Sequence, residues 1–387
     1  MKILAINEFG DWGGAEKIFF LTVRTLKNYG KDVAVLLGSK GKLYDEIKSI
    51  NIEIFLYKRK ELIPNSSVIA GSRINFPNRL FKNLRLLENN AKDFYEIINE
   101  IKPEIIYLNN LRPLVIYDQM IKMFNKKRGF KAIWHEHGYQ RSYWRQIILD
   151  RFFLKNLDLV ISVSNHVKNK HLRNVRLKKV NVVYNGVDDF FKGYDWDKGE
   201  EKVTIVHPAF ITFWKGQHNI VKAINILVNK YNIDNFQVLF LGSARTQQDK
   251  NYLRKLLKYI KDNKLENYVS FLGYVPNALE YMSNADIIVS GSVEHDPLPT
   301  ILLEACMLGK PIVTTDAGGS KEIVKDNFNG FVVKRGDSKK FAEKLYYLLI
   351  DEQLRRKFSK NSRKIYLEKF SISSFEDRII KIFNKLE

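Results

Sequence analysis

Short apolar runs alternate with segments of helical periodicity along most of the chain. Residues 1–6 are apolar apart from Lys2, and residues 18–26, after a glycine-containing turn, carry apolar side chains at helical spacing. The same alternation returns in the second half, where the apolar run 203–207 precedes a helical pattern over 219–231. Strands that alternate with helices are typical of parallel sheets covered by helices. The pattern therefore predicts an α/β protein with two doubly wound, Rossmann-like parallel sheets.

The chain of 387 residues is long enough for two domains with full cores. A polar and charged stretch lies near its middle and interrupts the alternation. We predict an N-terminal domain of residues 1–189, a linker of 190–202 and a C-terminal domain of 203–370. No apolar run reaches the roughly 20 residues that a membrane-spanning helix needs.

The stretch 293–324 concentrates the candidate chemistry. Asp296 opens a turn that contains two prolines, and Thr300 begins a helix that Gly309 and Pro311 end. A helix N-terminus presents free N–H groups and suits a phosphate, while Glu304, one turn inside, is placed to accept hydrogen bonds from sugar hydroxyls. The alternative is a buried β-α-β unit whose acids face solvent.

Three further positions follow strands and are candidates for ligand contact. Gly13 and Gly14 form a turn after the first strand, where backbone can approach a ligand. Lys215 precedes a helix and can meet a diphosphate as a point charge. His135 and His137 end another strand, but no third metal ligand lies near them in sequence, so we predict neither a metal nor a cofactor.

The net charge and the residue composition limit which kinds of binding partner this protein can have. The net charge is +21, of which +14 falls in residues 1–190. Nucleic acid, an anionic membrane surface and a merely lysine-rich composition all fit such an excess, but no nucleic-acid-binding motif appears. The basic segments 58–90 and 139–153 contain aromatic residues, which suits a membrane or acceptor surface as well as ordinary solvated or core packing. The single cysteine, Cys306, excludes an internal disulfide and fits a cytoplasmic protein.

The stretch 293–324 resembles the donor-binding motif of the family-4 glycosyltransferases, the glycosyl transferases group 1, which are retaining enzymes with the GT-B fold. The shared pattern is an acid, seven residues, a Glu-Ala pair, a Gly-x-Pro and a Gly-Gly-x-x-Glu loop. Its residues here are Asp296, Glu304, Ala305, Gly309, Pro311, Gly318, Gly319 and Glu322. The first acid of the pattern is usually Glu, and here it is Asp.

The resemblance implies two domains facing a cleft, with the tail 371–387 crossing back onto the first domain. It implies retaining transfer of a sugar from a UDP- or GDP-sugar to a hydroxyl, such as that of a lipid-linked or growing saccharide at the inner membrane face. His137, Lys215, Asp296 and Glu304 would be the catalytic residues. The donor would be bound by Gly13, Gly14, Lys215, Leu298, Pro299, Thr300 and Glu304. His135 would point to the opposite side of its strand from His137.

One departure from the family pattern keeps other functions open. Family members usually carry an Arg five or six residues before the lysine that corresponds to Lys215, where this chain has Phe210 and Ala209. Arg245 is a candidate substitute. The alternatives are a non-catalytic nucleotide-sugar-binding partner subunit and a nucleotide-sugar epimerase of the same fold. An Asp-x-Asp sequence at Asp195 falls in the predicted linker and is interpreted as chance.

Overall fold

The computed structural model describes residues 1–58, 82–124, 129–138, 154–169, 179–193 and 202–386, and the backbone alone of 68–69, 72–73, 76–81 and 170–171. The chain divides into two units. The N-terminal unit consists of Met1–Val163, Lys168–Val183 and Glu376–Glu387, and the C-terminal unit of Ser164–Val167 and Tyr184–Phe375.

The N-terminal unit contains a parallel sheet of seven strands in the order β3-β2-β1-β6-β7-β8-β9. Strands β4 and β5 form a separate two-stranded antiparallel pair. The strands are β1 Lys2–Asn7, β2 Asp32–Leu37, β3 Glu53–Leu56, β4 Val68–Ile69, β5 Ser72–Arg73, β6 Ile105–Asn109, β7 Lys131–Glu136, β8 Leu159–Ser162 and β9 Val180–Val182. Nearly every residue of β1, β6 and β7 is buried, as expected for parallel strands covered on both faces.

Helices cover this sheet, and the end of the chain packs with them. The helices in the first half of the chain are Gly14–Asn28, Lys42–Ser49, Phe76–Ile101, Leu111–Phe124 and Asn165–His171, of which the last begins with residues that count with the C-terminal unit. The last helix, Ile372–Asn384, belongs to the N-terminal unit from Glu376 onward. Within that unit the ring of Phe383 lies 5.9 Å from the ring of Tyr107, which is buried on β6.

The C-terminal unit contains a second parallel sheet of six strands in the order β12-β11-β10-β13-β14-β15. The strands are β10 Val203–Pro208, β11 Phe236–Leu241, β12 Val269–Gly273, β13 Ile287–Ser290, β14 Ile312–Thr315 and β15 Gly330–Val333. The helices are Gln217–Asn229, Gln247–Asp262, Ala278–Asn284, Thr300–Met307, Ser320–Ile323, Ser338–Ile350 and Glu352–Ile365. Its core is built from apolar strand residues and the inner faces of these helices.

The predicted fold class is confirmed, since both sheets are parallel and alternate with helices along the chain. The helix predicted over 219–231 is observed as Gln217–Asn229, and the predicted start at Thr300 is the observed one. Within the described part of the chain, no helix combines the length and the apolar character needed to cross a bilayer.

Each sheet has one position where consecutive connections leave in opposite directions. In the first sheet it lies between β1 and β6, and in the second between β10 and β13. Ligands of open α/β sheets bind beyond the carboxyl ends of the strands at such switch points. These two edges are therefore where the candidate residues have to be sought.

Candidate functional site

Two loops meet at the switch point of the second sheet. One follows β10 and contains Lys215, and the other follows β13 and contains Asp296. Gly216 has a φ of 73°, and a Cβ on it would lie 1.8 Å from the carbonyl oxygen of Gly291. The backbone N–H of Val293 donates to the carbonyl of Trp214 at 2.9 Å. Because a side chain at position 216 would separate the loops, this glycine is what allows them to touch.

Lys215 and Asp296 form an ion pair at this contact. The Lys215 Nζ lies 2.9 Å from Asp296 Oδ2, and each side chain is 14% exposed. The ammonium also lies 4.1 Å from the ring centroid of Trp214, at cation–π distance. An ammonium group has three N–H donors, and the carboxylate takes one of them. The pair therefore places an oriented cation, with donors to spare, at the carboxyl edge of the sheet.

The backbone of Asp296 is supported by the glycine loop after β14. Gly318 has a φ of 59°, and a Cβ there would lie 1.8 Å from the carbonyl oxygen of Asp296. The N–H of Gly319 donates to that same oxygen at 2.8 Å. The two glycines of the Gly-Gly-x-x-Glu pattern thus act on the backbone of the acid, which they hold in place.

His207, in β10, is a buried member of this site that the sequence analysis did not select. Its Nδ1 lies 2.8 Å from the carbonyl oxygen of Val289, which fixes the proton on Nδ1, because a carbonyl only accepts. Burial and, to a smaller extent, the charge of Lys215 lower the pKa of His207 to about 4, against the hydrogen bond to Val289, which raises it. A neutral imidazole adds no second positive charge near Lys215. In sequence, His207 is one polar residue in an apolar strand, which carries no signal of its role.

The helix Thr300–Met307 starts directly after the ion pair. Pro299 is its N-cap residue and makes no side-chain capping bond, so the first-turn N–H groups have no side-chain acceptor from this position. Leu298 is buried, Thr300 is exposed and Glu304 is half-buried one turn further on. The predicted donor-binding residues Leu298, Pro299 and Thr300 thus lie at the start of this helix, directly after the loop that carries Asp296.

Arg245 packs against the residue that stands where a second cation was expected. Its guanidinium carbon lies 3.4 Å from the ring centroid of Phe210, and both side chains are exposed. The loops that carry them are joined, since the N–H of Ile211 donates to the carbonyl of Ser243 at 3.1 Å. Arg245 therefore lies over the loop that leads to Lys215, and its role as a phosphate ligand stays a prediction.

Glu322, the last residue of the motif, has a structural partner. Its carboxylate accepts from the N–H groups of Asn165 and His166 at 2.8 and 2.7 Å and from the hydroxyl of Tyr184 at 2.9 Å. All of these residues count with the C-terminal unit. A carboxylate at a helix N-terminus stabilises that helix, and here the helix is Asn165–His171. Glu322 therefore serves to cap a helix in this structure.

The two glycines of the turn in the N-terminal unit, Gly13 and Gly14, differ in how much space a side chain would have there. Gly13 precedes the helix Gly14–Asn28, and a Cβ on it would lie 2.6 Å from the carboxylate of Glu16. Gly14 is exposed, and a Cβ there would have no heavy atom within 4 Å. Gly14 therefore has no partner inside the described part of the protein that demands a glycine.

Replacing Gly14 by alanine is expected to leave the free energy of unfolding within about 0.5 kcal/mol of the unchanged protein. The matched variant is Gly10→Ala, whose Cβ would lie 2.4 Å from the carbonyl oxygen of Ser39 and should destabilise clearly. Denaturant titration measures both. Equal destabilisation by the two variants would show that the fold itself requires a glycine at position 14.

His137 follows β7, and its contact with His135 shows that the direction predicted for the His135 side chain is wrong. The rings of His135 and His137 lie 4.0 Å apart, so the two side chains share one side of the strand. The expectation that His135 points to the opposite side is wrong, because residues two apart along a strand face the same way. His135 is completely buried and lies 2.6 Å from the hydroxyl of Tyr107. No group of three potential metal ligands occurs within the described residues.

Several predictions fall outside the described residues. They are the aromatic and basic segment 139–153, the side chains of residues 59–81 within the basic segment 58–90, and Asp195 with most of the predicted linker. The proposed membrane or acceptor surface therefore stays a prediction from the sequence.

Known proteins resemble this chain over nearly its whole length. Residues 12–189 match the family model described as Glycosyltransferase Family 4, and residues 189–365 match Glycosyl transferases group 1. MJ1069 of Methanocaldococcus jannaschii, an uncharacterized glycosyltransferase, is 26% identical over 358 residues, which are 88% of this chain and 86% of that protein. The capsular polysaccharide biosynthesis glycosyltransferase CapM of Staphylococcus aureus is 24% identical over 382 residues, 93% of this chain and 87% of CapM.

The fold is shared with solved structures. The crystal structure of Anabaena HepE in complex with UDP-glucose superposes with a TM-score of 0.76 at 20% identity, over 100% of both chains. A glycosyltransferase from Rickettsia africae superposes with a TM-score of 0.80 at 22% identity, over 100% of this chain and 98% of that one. With two adjoining family matches and two parallel-sheet domains, the chain belongs to the glycosyl transferases group 1 family and has the GT-B fold.

Proposed function

We propose that this glycosyltransferase moves a sugar from a UDP- or GDP-sugar to a hydroxyl group and retains the configuration at the anomeric carbon. The observation that carries the proposal is the Lys215–Asp296 pair, placed between two loops at the switch point of the second sheet and followed by a helix start. The solved HepE structures that contain UDP and UDP-glucose support this class of donor.

Lys215 is proposed to bind the diphosphate. Its ammonium is oriented by Asp296 and Trp214, and its remaining donors are available to phosphate oxygens. As the bond to the sugar breaks, negative charge grows on the leaving diphosphate, and a fixed cation stabilises this charge without reorganisation. Leu298, Pro299 and Thr300 would place the first-turn N–H groups of the helix at the same phosphates.

Asp296 is proposed to act on the transferred sugar. The anomeric carbon gains positive charge as it loses the diphosphate, and a carboxylate held close to it lowers the energy of that state. The bond from the anomeric carbon to the phosphate oxygen breaks, and the acceptor oxygen bonds to the same face. The acceptor hydroxyl proton passes to the leaving phosphate oxygen, so no additional base is required.

Glu304 is proposed to accept hydrogen bonds from the ribose hydroxyls.

The acceptor is proposed to be a saccharide, lipid-linked or growing, in the synthesis of a cell-surface polysaccharide. The similarity to CapM, which is named for capsular polysaccharide biosynthesis, supports this class. His137, Gly13 and Gly14 are proposed contacts of the N-terminal unit with the substrates, on the motifs they share with the family.

The test is a panel of UDP-, GDP- and ADP-sugars. Calorimetry should find one nucleotide series that binds, and the matching sugar donor should release its nucleoside diphosphate slowly without acceptor. The anomeric configuration of a product made with a simple saccharide acceptor, read by NMR, should equal that of the donor. A protein that binds a nucleotide-sugar but never releases nucleotide would be a binding subunit, and interconversion of the sugar would mark an epimerase.

Peripheral binding to an anionic membrane is proposed for the N-terminal domain. Its charge of +14 over residues 1–190 motivates the proposal. Binding to vesicles rich in anionic lipid should weaken as salt rises, because exposed charges are screened within about 10 Å at 0.1 M. Sedimentation with anionic and with neutral vesicles is the measurement, and equal binding to both would contradict the electrostatic explanation.

A further inference from the structure

Three side chains form a hydrogen-bonded series at the switch point of the first sheet. Asn7 ends β1, Asn109 ends β6 and His137 follows β7, three strands that are neighbours in the sheet. The Nδ2 of Asn7 lies 2.7 Å from the carbonyl oxygen of Phe9. The Nδ2 of Asn109 lies 2.7 Å from Asn7 Oδ1, and the Nε2 of His137 lies 2.8 Å from Asn109 Oδ1. Asn7 is 1% and Asn109 0% exposed, so water does not compete for these groups.

The direction of every bond in this series follows from its first member. The carbonyl of Phe9 only accepts, so the amide NH₂ of Asn7 must face it and Asn7 Oδ1 must face Asn109. That oxygen in turn requires the NH₂ of Asn109, which leaves Asn109 Oδ1 towards the imidazole. Since an amide oxygen also only accepts, the nitrogen of His137 that it contacts must carry a hydrogen. A backbone carbonyl thus decides which nitrogen of His137 is protonated.

We propose that Asn7 and Asn109 are positioning residues that fix His137 as its Nε2–H tautomer, so that its Nδ1 accepts a hydrogen bond from a hydroxyl group of the bound sugar. The part that concerns the sugar rests on the proposed transfer function. His137 is half-buried, and its Nδ1 has no hydrogen-bond partner in the part of the chain that the structure describes. A bare imidazole nitrogen is an acceptor only, and sugar hydroxyls are the donors that match it.

The surroundings keep the ring neutral. Burial lowers the pKa of His137 to about 3, and the buried ring of His135 lies beside it. The neighbouring Glu136 is directed to the N–H of Gly138, at 2.6 Å, and burial raises its pKa to about 7. No contact in the series therefore supplies a carboxylate that would favour the imidazolium form over the neutral one.

The first experiment is ¹⁵N NMR of histidine-labelled protein without any ligand. The signals of His137, assigned by comparison with His137→Gln, should show a protonated Nε2 and a bare Nδ1 at neutral pH. In Asn109→Asp, a carboxylate replaces the amide beside Nε2, and the pKa of His137 should rise. In Asn109→Leu the constraint is lost, and the two tautomers should mix. Thr25→Val, which removes a buried hydroxyl outside the series, should leave the His137 signals unchanged.

The second experiment tests the sugar contact. Asn109→Leu should lower kcat/KM by roughly tenfold, the value of one hydrogen bond. The loss should shrink with a donor whose contacted hydroxyl has been replaced by hydrogen, found by testing deoxy-sugar donors in turn. A protonated Nδ1 in the unchanged protein would overturn the tautomer assignment, and this measurement needs no folded variant. A correct tautomer with equal losses for all deoxy donors would overturn the sugar contact. A protein inactive with every sugar-nucleotide would instead defeat the proposed function.

Discussion

Replacing Lys215 by methionine is expected to lower kcat by about 100- to 1,000-fold, the effect of removing one preorganised electrostatic group that stabilises a developing anion. Methionine keeps most of the length and the apolar stem, so the packing against Trp214 survives while the charge is lost. Donor hydrolysis without acceptor should fall by a similar factor, since the same diphosphate leaves in both reactions. Steady-state kinetics with saturating donor measures both quantities.

The matched control is Lys255→Met, which removes one positive charge from an exposed position of the same unit. It should leave kcat unchanged, which separates the local role of Lys215 from the general charge of the protein. Lys215→Arg should restore little activity, because a planar guanidinium does not replace a point charge held between Trp214 and Asp296. Activity of Lys215→Met close to that of the control would show that another group stabilises the leaving diphosphate.

The fold was predictable because its signals are local. Buried parallel strands are continuous apolar runs, and β1, β10 and β13 read as such directly. The ends of helices were harder to predict, because polar capping residues outside the apolar pattern can determine where a helix begins. The helix Gln247–Asp262 begins after a reciprocal capping bond between Thr246 and Asp249, and its first five residues contain no apolar side chain that would announce it.

The sequence predicted individual residues of the candidate site, but it did not predict which of their side chains contact one another. Lys215 and Asp296 were each selected from their own loops, while their contact depends on Gly216, whose conformation lets the loops touch. Sequence spacing of 81 residues contains no information about such a contact. The same holds for Arg245, which reaches the ring of Phe210 only because β10 and β11 are neighbours in the sheet. His207 belongs to no motif, and its place became visible only in the structure, through its contact with Val289 and the effect of Lys215 on its pKa.

The two acids of the motif are expected to give opposite results when each is neutralised. Glu304→Gln should weaken the binding of free nucleoside diphosphate and of donor alike, by about 1–3 kcal/mol for a lost charged hydrogen bond. Asp296→Asn should lower kcat by about 100-fold, because its charge counts chiefly when the anomeric carbon becomes positive. Free nucleotide should bind this variant at least as well as the unchanged protein, since a negative charge next to Lys215 has been removed.

Calorimetry with free nucleoside diphosphate, beside kinetics on both variants, decides between these roles. Glu266→Gln, at an exposed position of the same unit, is the control for loss of one negative charge and should change neither quantity. The ion pair sharpens the test, because Asp296 holds the cation that binds the phosphates. If orienting Lys215 were its main task, Asp296→Asn would lose nucleotide affinity as Glu304→Gln does. Retained affinity with a lowered kcat would place the effect of Asp296 in the transition state, next to the transferred sugar.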